Sequence, residues 1–323
     1  MNEIPDSRGR VPECSVIVPL YKNEPNVAAL LERLAALHRS VPGGIEAVCV
    51  VDGSPDRSHE LLAQALPLAP YPSRLLLLSR NFGSFAAIRE GLRCAAGRWF
   101  AVMAADLQEP QDLVESFFAV LRAGEADVVL GTRAERADRA ADRAASNMFW
   151  ATYRTLINRE LPAGGVDVFG CNEIFRARLL EFREAHSSLV GQLMWLGFRR
   201  KTVAYARAAR DAGESGWTLR RKLGYLMDSV FAFSDLPIKV FAALGALGLF
   251  TSVVLGAVVA VARLGGAIDV PGYAATILSI LFFGSLNLLA LGIMGSYVWR
   301  AYENTKARPL AVVMREDRFG TAP

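Results

Sequence analysis

Residues 99–108, WFAVMAADLQ, decide the fold. Trp99–Ala104 reads as a short apolar strand that gives way to a polar end at Asp106. Similar runs lie on either side: CSVIVPL (14–20), EAVCVV (46–51) and RLLLL (74–78) before it, DVVL (127–130) after it. Between them, Val27–Leu37, Ser58–Leu66, Phe85–Ala96 and Leu113–Ala123 carry apolar residues at helical spacing. Continuously apolar strands alternating with amphipathic helices predict an α/β domain, a mostly parallel sheet with helices on both faces. In open sheets of this kind ligands bind beyond the carboxyl ends of the strands. Asp52, Arg80 with Asn81, Asp106 and Arg133 all fall just after strand ends, so that edge is the expected site.

Two long apolar runs follow, Val240–Ala262 and Ala274–Trp299. Each is long enough to cross a hydrocarbon core, which takes roughly 20 helical residues. Buried core helices would carry a polar outward stripe, and these runs offer little beyond Thr251, Ser252, Ser279, Ser285 and Asn287. Both lie far from the N-terminus, so neither reads as a signal peptide. Arg220, Arg221, Lys222 and Lys239 precede the first run, and Arg300, Lys306, Arg308 and Arg315 follow the second. The loop from Arg263 to Tyr273 holds one Arg and one Asp. Positive residues favour the cytoplasmic side, so the runs are expected as a hairpin with both ends inside. The expected organisation is a cytoplasmic catalytic domain (1–216), a juxtamembrane amphipathic helix (217–236), a two-helix transmembrane hairpin (237–300) and a cytoplasmic tail (301–323). The localisation is then the cell inner membrane, and the bilayer itself is a partner. Trp217–Asp235 mixes basic and aromatic residues at helical spacing, which suits a helix lying along the headgroups.

The 323 residues leave room for one sizeable soluble domain. A net charge of +4 suits anionic lipid and phosphate-bearing substrates. Nucleic acid is not an expected partner, because the basic residues form no tract interleaved with aromatics. A homo-oligomer is compatible with the sequence. Cys14, Cys49, Cys94 and Cys171 are scattered without CxxC spacing and read as buried hydrophobes of a reducing compartment. His38, His59 and His186 are isolated and polar-flanked, suited to surface or capping roles.

The series SVIVPLYKNEPNV (15–27), VVDGSPDRS (50–58), LLSRNFGSFAAIREGL (77–92), MAADLQEPQDL (103–113) and VVLGTR (128–133) resembles the family-2 glycosyltransferases in order and spacing. The segment RDAGESGWTLRRK (210–222), the two apolar runs and YENTKARPLAVV (302–313) narrow the resemblance to the polyprenyl-phosphate glycosyltransferases. It extends from Ser15 to Val313. It implies a GT-A fold, a nucleotide-diphosphate-sugar donor, a polyprenyl-phosphate acceptor, inversion at the anomeric carbon and a divalent metal, Mg²⁺ or Mn²⁺.

Carried over residue by residue, the resemblance assigns the donor to Pro19, Tyr21, Glu24, Asp52, Arg80, Asn81, Ala105 and Asp106. Asp106 and Gln108 would hold the metal. Arg133, Arg207, Arg210 and Ser215 would address the acceptor and its phosphate, since guanidinium forks suit phosphate oxygens. Asp106, Asp167, Arg133 and Arg210 form the expected catalytic set. The role of Asp167 stays open between orienting the acceptor, helping the sugar hydroxyls and an ordinary turn. A loop containing Gly213 and Gly216 could close over the donor.

Four departures stand out. Val51 and Ala104 replace acids of the family pattern, Ser84 stands where many relatives carry Lys, and Gly216 replaces another Lys. Glu109 is either a compensating acid or a solvated loop residue. Two rival functions follow. A polysaccharide synthase is disfavoured by having only two spans, and by Gln192–Trp195, which lacks the Arg of the Gln-x-x-Arg-Trp acceptor motif. A catalytically silent scaffold that binds a nucleotide sugar would rest on the two missing acids.

Overall fold

The computed structural model describes residues 13–135, 162, 165–184, 187–206, 230–231, 236–264 and 272–320. The chain begins with β1 (Cys14–Leu20), α1 (Val27–Ser40), β2 (Ile45–Val51), α2 (Ser58–Ala65) and β3 (Ser73–Leu78). It continues with α3 (Ser84–Cys94), β4 (Trp99–Val102), α4 (Leu113–Arg122) and β5 (Val128–Glu135). β6 (Val168–Asn172), α5 (Glu173–Glu181), α6 (Leu189–Trp195) and β7 (Arg200–Ala206) follow. Two long helices, α7 (Leu236–Leu264) and α8 (Tyr273–Thr305), precede a last strand, β8 (Val313–Phe319).

The strands form one eight-stranded sheet in the order β7-β5-β6-β4-β1-β2-β3-β8. β1 pairs in parallel with β2 and β4, β2 with β3, and β5 with β7. β6 and β8 run antiparallel to their neighbours. The expected mostly parallel sheet is therefore present.

Alternation along the strands builds two cores. On one face Val16, Val18 and Leu20 of β1 meet Leu30, Leu34 and Leu37 of α1 and Phe117 and Phe118 of α4. On the other, Ile17 joins Val48, Val50, Leu92 of α3 and Phe175 of α5. This is why the central strands read as apolar runs: β1, β2, β3 and β4 have both faces covered. Caps set the later helices. Asn172 Oδ1 accepts from the Phe175 N–H at 2.8 Å, and Ser188 Oγ from the Gly191 N–H at 3.1 Å. Cys14, Cys49 and Cys171 are fully buried free thiols, and burial pushes Cys14 and Cys49 up to about 12.

Residues 301–323, expected as a tail, contain a strand of the main sheet. β8 pairs antiparallel with β3 from Ser73↔Phe319 to Leu78↔Val313. Beneath it, Arg74 bridges two carboxylates: its Nε donates to Glu46 at 2.9 Å and Nη1 to Glu316 at 3.2 Å. Glu46 is fully buried and also accepts from the Ser15 hydroxyl (2.6 Å) and the Ala96 N–H (2.9 Å).

α7 and α8 occupy the two apolar runs. Among the described residues one segment, Phe282–Thr305 in α8, is long and apolar enough to cross a membrane, with a mean hydropathy of 1.4. A Cβ added to Gly248 of α7 would lie 3.1 Å from the Phe283 ring of α8, so the two helices touch there. Phe231 stacks edge-on against Tyr297 at 5.0 Å, and the Arg300 guanidinium sits 4.9 Å from the Phe231 ring centre. Most of the expected juxtamembrane helix lies outside the described residues.

Candidate functional site

The site is the carboxyl edge of β1, β2, β3, β4 and β5, where the loops after these strands meet. The loops after β1 and β2 are stapled together. Ser54 Oγ accepts from the Lys22 N–H at 2.8 Å, and Ser58 Oγ from the Asn23 N–H at 3.2 Å. Asp56 accepts from the Ser54 hydroxyl (2.6 Å) and the Glu24 N–H (3.0 Å). Burial opposes ionisation of Asp56, but bonds from the Ser54 and Ser58 hydroxyls and from backbone amides hold its carboxyl below the usual carboxylate range. Glu24 Oε2 accepts from the Arg57 N–H at 3.0 Å, at the start of α2. One oxygen of Glu24 is thus a helix cap. Pro19 is half-buried at the end of β1, and Tyr21 is exposed beside it.

Asp52 is 2% exposed, and its two oxygens accept from the Phe82 N–H (2.7 Å) and the Gly83 N–H (2.8 Å). Its carboxylate therefore holds the loop after β3 and the entry to α3. Burial raises its pKa, while the two amide bonds and Arg80 pull it down. Gly53, at φ +55°, is required here. A Cβ would lie 2.2 Å from the Arg80 carbonyl carbon. Arg80 and Asn81, pressed against this glycine, are exposed, with the guanidinium carbon 4.0 Å from the Phe82 ring centre.

Beyond β4 the chain turns sharply. Ala105 is buried, Asp106 half-buried, and Leu107 takes a left-handed φ of +56°. That reversal draws Gln108 and Glu109 inward, to 8% and 5% exposure. Arg33 Nη1 fixes the turn by donating to the Glu109 carbonyl at 3.0 Å. Glu109 is accordingly not a solvated loop acid. Among the described residues no group of three His, Cys, Asp or Glu could form a metal cage. The expected ligands at this turn, the Asp106 carboxylate and the Gln108 amide oxygen, are hard donors of the kind that share Mg²⁺ with substrate phosphates rather than enclose it. They fit an ion brought in with a diphosphate.

Arg133 and Asp167, expected separately, form one ion pair. Arg133 Nε and Nη2 both donate to the Asp167 carboxylate, the latter at 2.9 Å. The Tyr205 hydroxyl donates to Asp167 Oδ2 at 3.0 Å. Burial works against the Arg133 charge, but Asp167 more than offsets it and keeps the guanidinium firmly protonated. Burial, and next the Asp167 and Glu109 charges, push the Tyr205 phenol far up. Tyr205 escaped the sequence reading because its partner is set by the β5–β7 register, Arg133↔Tyr205, across a strand inserted between them in sequence.

Val51 is fully buried in the α1-side core. Gln192 is buried and accepts from Arg89 Nη1 at 3.1 Å, a structural role inside α6. His38 Nδ1 accepts from the Ile45 N–H at 3.0 Å, which ties the end of α1 to the start of β2. Arg207, Arg210, Ser215, the Gly213–Gly216 loop and His186 lie outside the described residues.

Residues 15–183 match glycosyl transferase family 2. A glycosyltransferase of Synechocystis sp. (strain ATCC 27184 / PCC 6803 / Kazusa), itself uncharacterized, is 30% identical over 302 residues, covering 93% of this chain and 94% of that one. CsbB of Bacillus subtilis (strain 168), also named as a glycosyltransferase, is 32% identical over 297 residues, covering 91% and 89%. The bactoprenol glucosyl transferase of Shigella phage SfV is 27% identical over 308 residues, covering 94% and 98%. With the strand-end site and the α/β sheet that carries it, these matches place the chain in glycosyl transferase family 2, as a glycosyltransferase.

Proposed function

We propose that this chain moves a sugar from a nucleotide sugar to a polyprenyl phosphate at the cytoplasmic face of a membrane, inverting the anomeric centre. The observation that carries the reading is that the apolar helix pair is built into the catalytic fold. β8, which follows α8, is the eighth strand of the sheet whose edge forms the site. An acceptor confined to the bilayer needs such a tether, since its phosphate must react at headgroup depth. The bactoprenol relative, matched over nearly its whole length, supports a lipid acceptor of this class.

The donor would lie across the ends of β1, β2 and β3, with its base beside Pro19 and Tyr21 and its diphosphate toward Asp106. Asp52 holds the Arg80–Gly83 loop against it through the two amide bonds. Asp106 and Gln108 would hold a divalent cation, which supplies charge neutralisation to the departing diphosphate. The lipid phosphate is already an anion and needs no base. Its oxygen forms the new bond to the anomeric carbon as the bond to the nucleoside diphosphate breaks on the opposite face. Arg133, charged and held by Asp167, offsets the repulsion between the two phosphate groups. Charge-assisted contacts of this type contribute about 1.5–3 kcal/mol each. With α7 crossing beside α8, and both ends on the side of the catalytic sheet, the membrane part would be a hairpin.

A panel of radiolabelled UDP- and GDP-sugars, incubated with membranes containing the full chain and undecaprenyl phosphate, tests the reading. Label in the organic phase is the expected result. Donor binding without extractable product from any donor would favour the silent scaffold, the reading that Val51 and Ala104 suggest.

A further inference from the structure

We propose that Tyr205 is a positioning residue for sugar transfer: its hydroxyl fixes the Asp167 carboxylate, which aims the outer edge of Arg133 at the reacting phosphates. This rests on the reading that Arg133 addresses a phosphate. The three residues come from different strands, Arg133 in β5, Asp167 just before β6 and Tyr205 near the end of β7. The sheet brings them together at the site edge, with Arg133 and Tyr205 directly paired in register.

The donor inventory shows what the arrangement does. Asp167 Oδ1 accepts from Arg133 Nη2, and Oδ2 accepts from both Arg133 Nε and the Tyr205 hydroxyl. A carboxylate gripped along both oxygens cannot rotate, and it is poorly placed to serve as a base. The guanidinium spends its Nε–Nη2 edge on Asp167, and a planar fork has a second edge, Nη1–Nη2, fixed relative to the first. Locking Asp167 therefore orients that second edge. Tyr205 is 5% exposed, so its ring is held by packing and carries the hydroxyl to Asp167 in a fixed direction. Positional errors of about 1 Å in a phosphate-gripping group cost catalysis far more than binding.

The test uses Tyr205→Phe, which removes one oxygen and keeps the ring, in the full chain in membranes, with undecaprenyl phosphate and the panel donor that wild type uses fastest, UDP-glucose taken first. We expect kcat to fall about tenfold, UDP affinity by calorimetry to stay within twofold, and the melting temperature to stay near wild type. In an Arg133→Ala background the same change should cost nothing further, because the hydroxyl acts through that guanidinium. Should the phenylalanine variant unfold, Asp167→Asn replaces it, with the same kcat loss and the same absence of effect beside Arg133→Ala. Full activity of Tyr205→Phe beside an impaired Arg133→Ala overturns the positioning role and leaves the reading of Arg133 intact. A loss that adds in the double variant also overturns it. Full activity of Arg133→Ala, or a wild-type chain that transfers from no donor, overturns the reading and this proposal with it.

Discussion

The Asp52 carboxylate lies 2.8 Å from the Gly83 amide, thirty-one residues along the chain, and 2.7 Å from the Phe82 amide beside it. An acid at a strand end facing a ligand edge invites a reading as a ligand contact. Here both oxygens are committed to backbone, so the residue shapes the loop after β3 from behind.

Asp52→Asn tests this. An amide offers one acceptor oxygen, so one of the two N–H groups would face an NH₂ group instead. A lost or mismatched buried hydrogen bond costs about 1–3 kcal/mol. Part of that is recovered, because the raised pKa means that ionising Asp52 costs stability as pH rises through it, and Asn carries no charge. We expect only a small fall in melting temperature at pH 7, with donor affinity weakened about tenfold by calorimetry. Unchanged affinity would remove Asp52 from the site.

Asp106 carries a sharper expectation. It is the acid left where the family pattern has two, and the Leu107 reversal fixes it at the sheet edge. Asp106→Asn should lower lipid-linked product at least a hundredfold while the far-ultraviolet circular dichroism stays unchanged. Activity near wild type in saturating Mg²⁺ or Mn²⁺ would show that the carboxylate is not a metal ligand. Glu109→Gln, at the buried end of the same turn, should spare the metal requirement, since the expected ligands are Asp106 and Gln108.

The topology can be checked without activity. β8 belongs to the same sheet as β1, so the residues before α7 and after α8 lie on one side of any membrane the helices cross. Reporter fusions should place Gly266 outside and Ser7 and Thr321 inside. A cytoplasmic Gly266 would remove the hairpin.

How much of this was legible beforehand depends on what each residue faces. The central strands were readable because both their faces are covered, as with Ile17 and Val18 in opposite cores. β8 was not, because its Arg315, Glu316, Asp317 and Arg318 protect an edge and carry no apolar run. The position of Asp106 followed from a strand end, whereas Arg133, expected just after a strand, lies inside β5, which runs on to Glu135 because it pairs with β7. The use of Asp52 for backbone, the burial of Glu109 and the Tyr205 contact were not legible, since each depends on a loop or strand brought in from elsewhere in the chain.

Arg74 gives the last prediction, and it concerns what holds the two long apolar helices to the sheet. Its guanidinium joins Glu46 of β2 to Glu316 of β8, 242 residues away from Arg74 in sequence. The two acids differ in exposure: the Glu46 side chain is fully buried, whereas the Glu316 side chain is 28% exposed. Removing Glu316 leaves Arg74 paired with Glu46, and a partly solvated pair is worth about 1 kcal/mol or less. Removing Arg74 instead leaves a buried carboxylate without its counter-ion, which costs about 3–5 kcal/mol. Arg74→Met should therefore be far more destabilising than Glu316→Gln in denaturant titrations of the detergent-solubilised chain. Adding Glu46→Gln to Arg74→Met should recover much of the loss, because the uncompensated charge disappears while the Ser15 and Ala96 bonds retain an acceptor oxygen. Equal costs for Arg74→Met and Glu316→Gln, or no recovery in the double variant, would mean that β8 is held by its backbone pairing with β3 and that the buried charge bridge adds nothing.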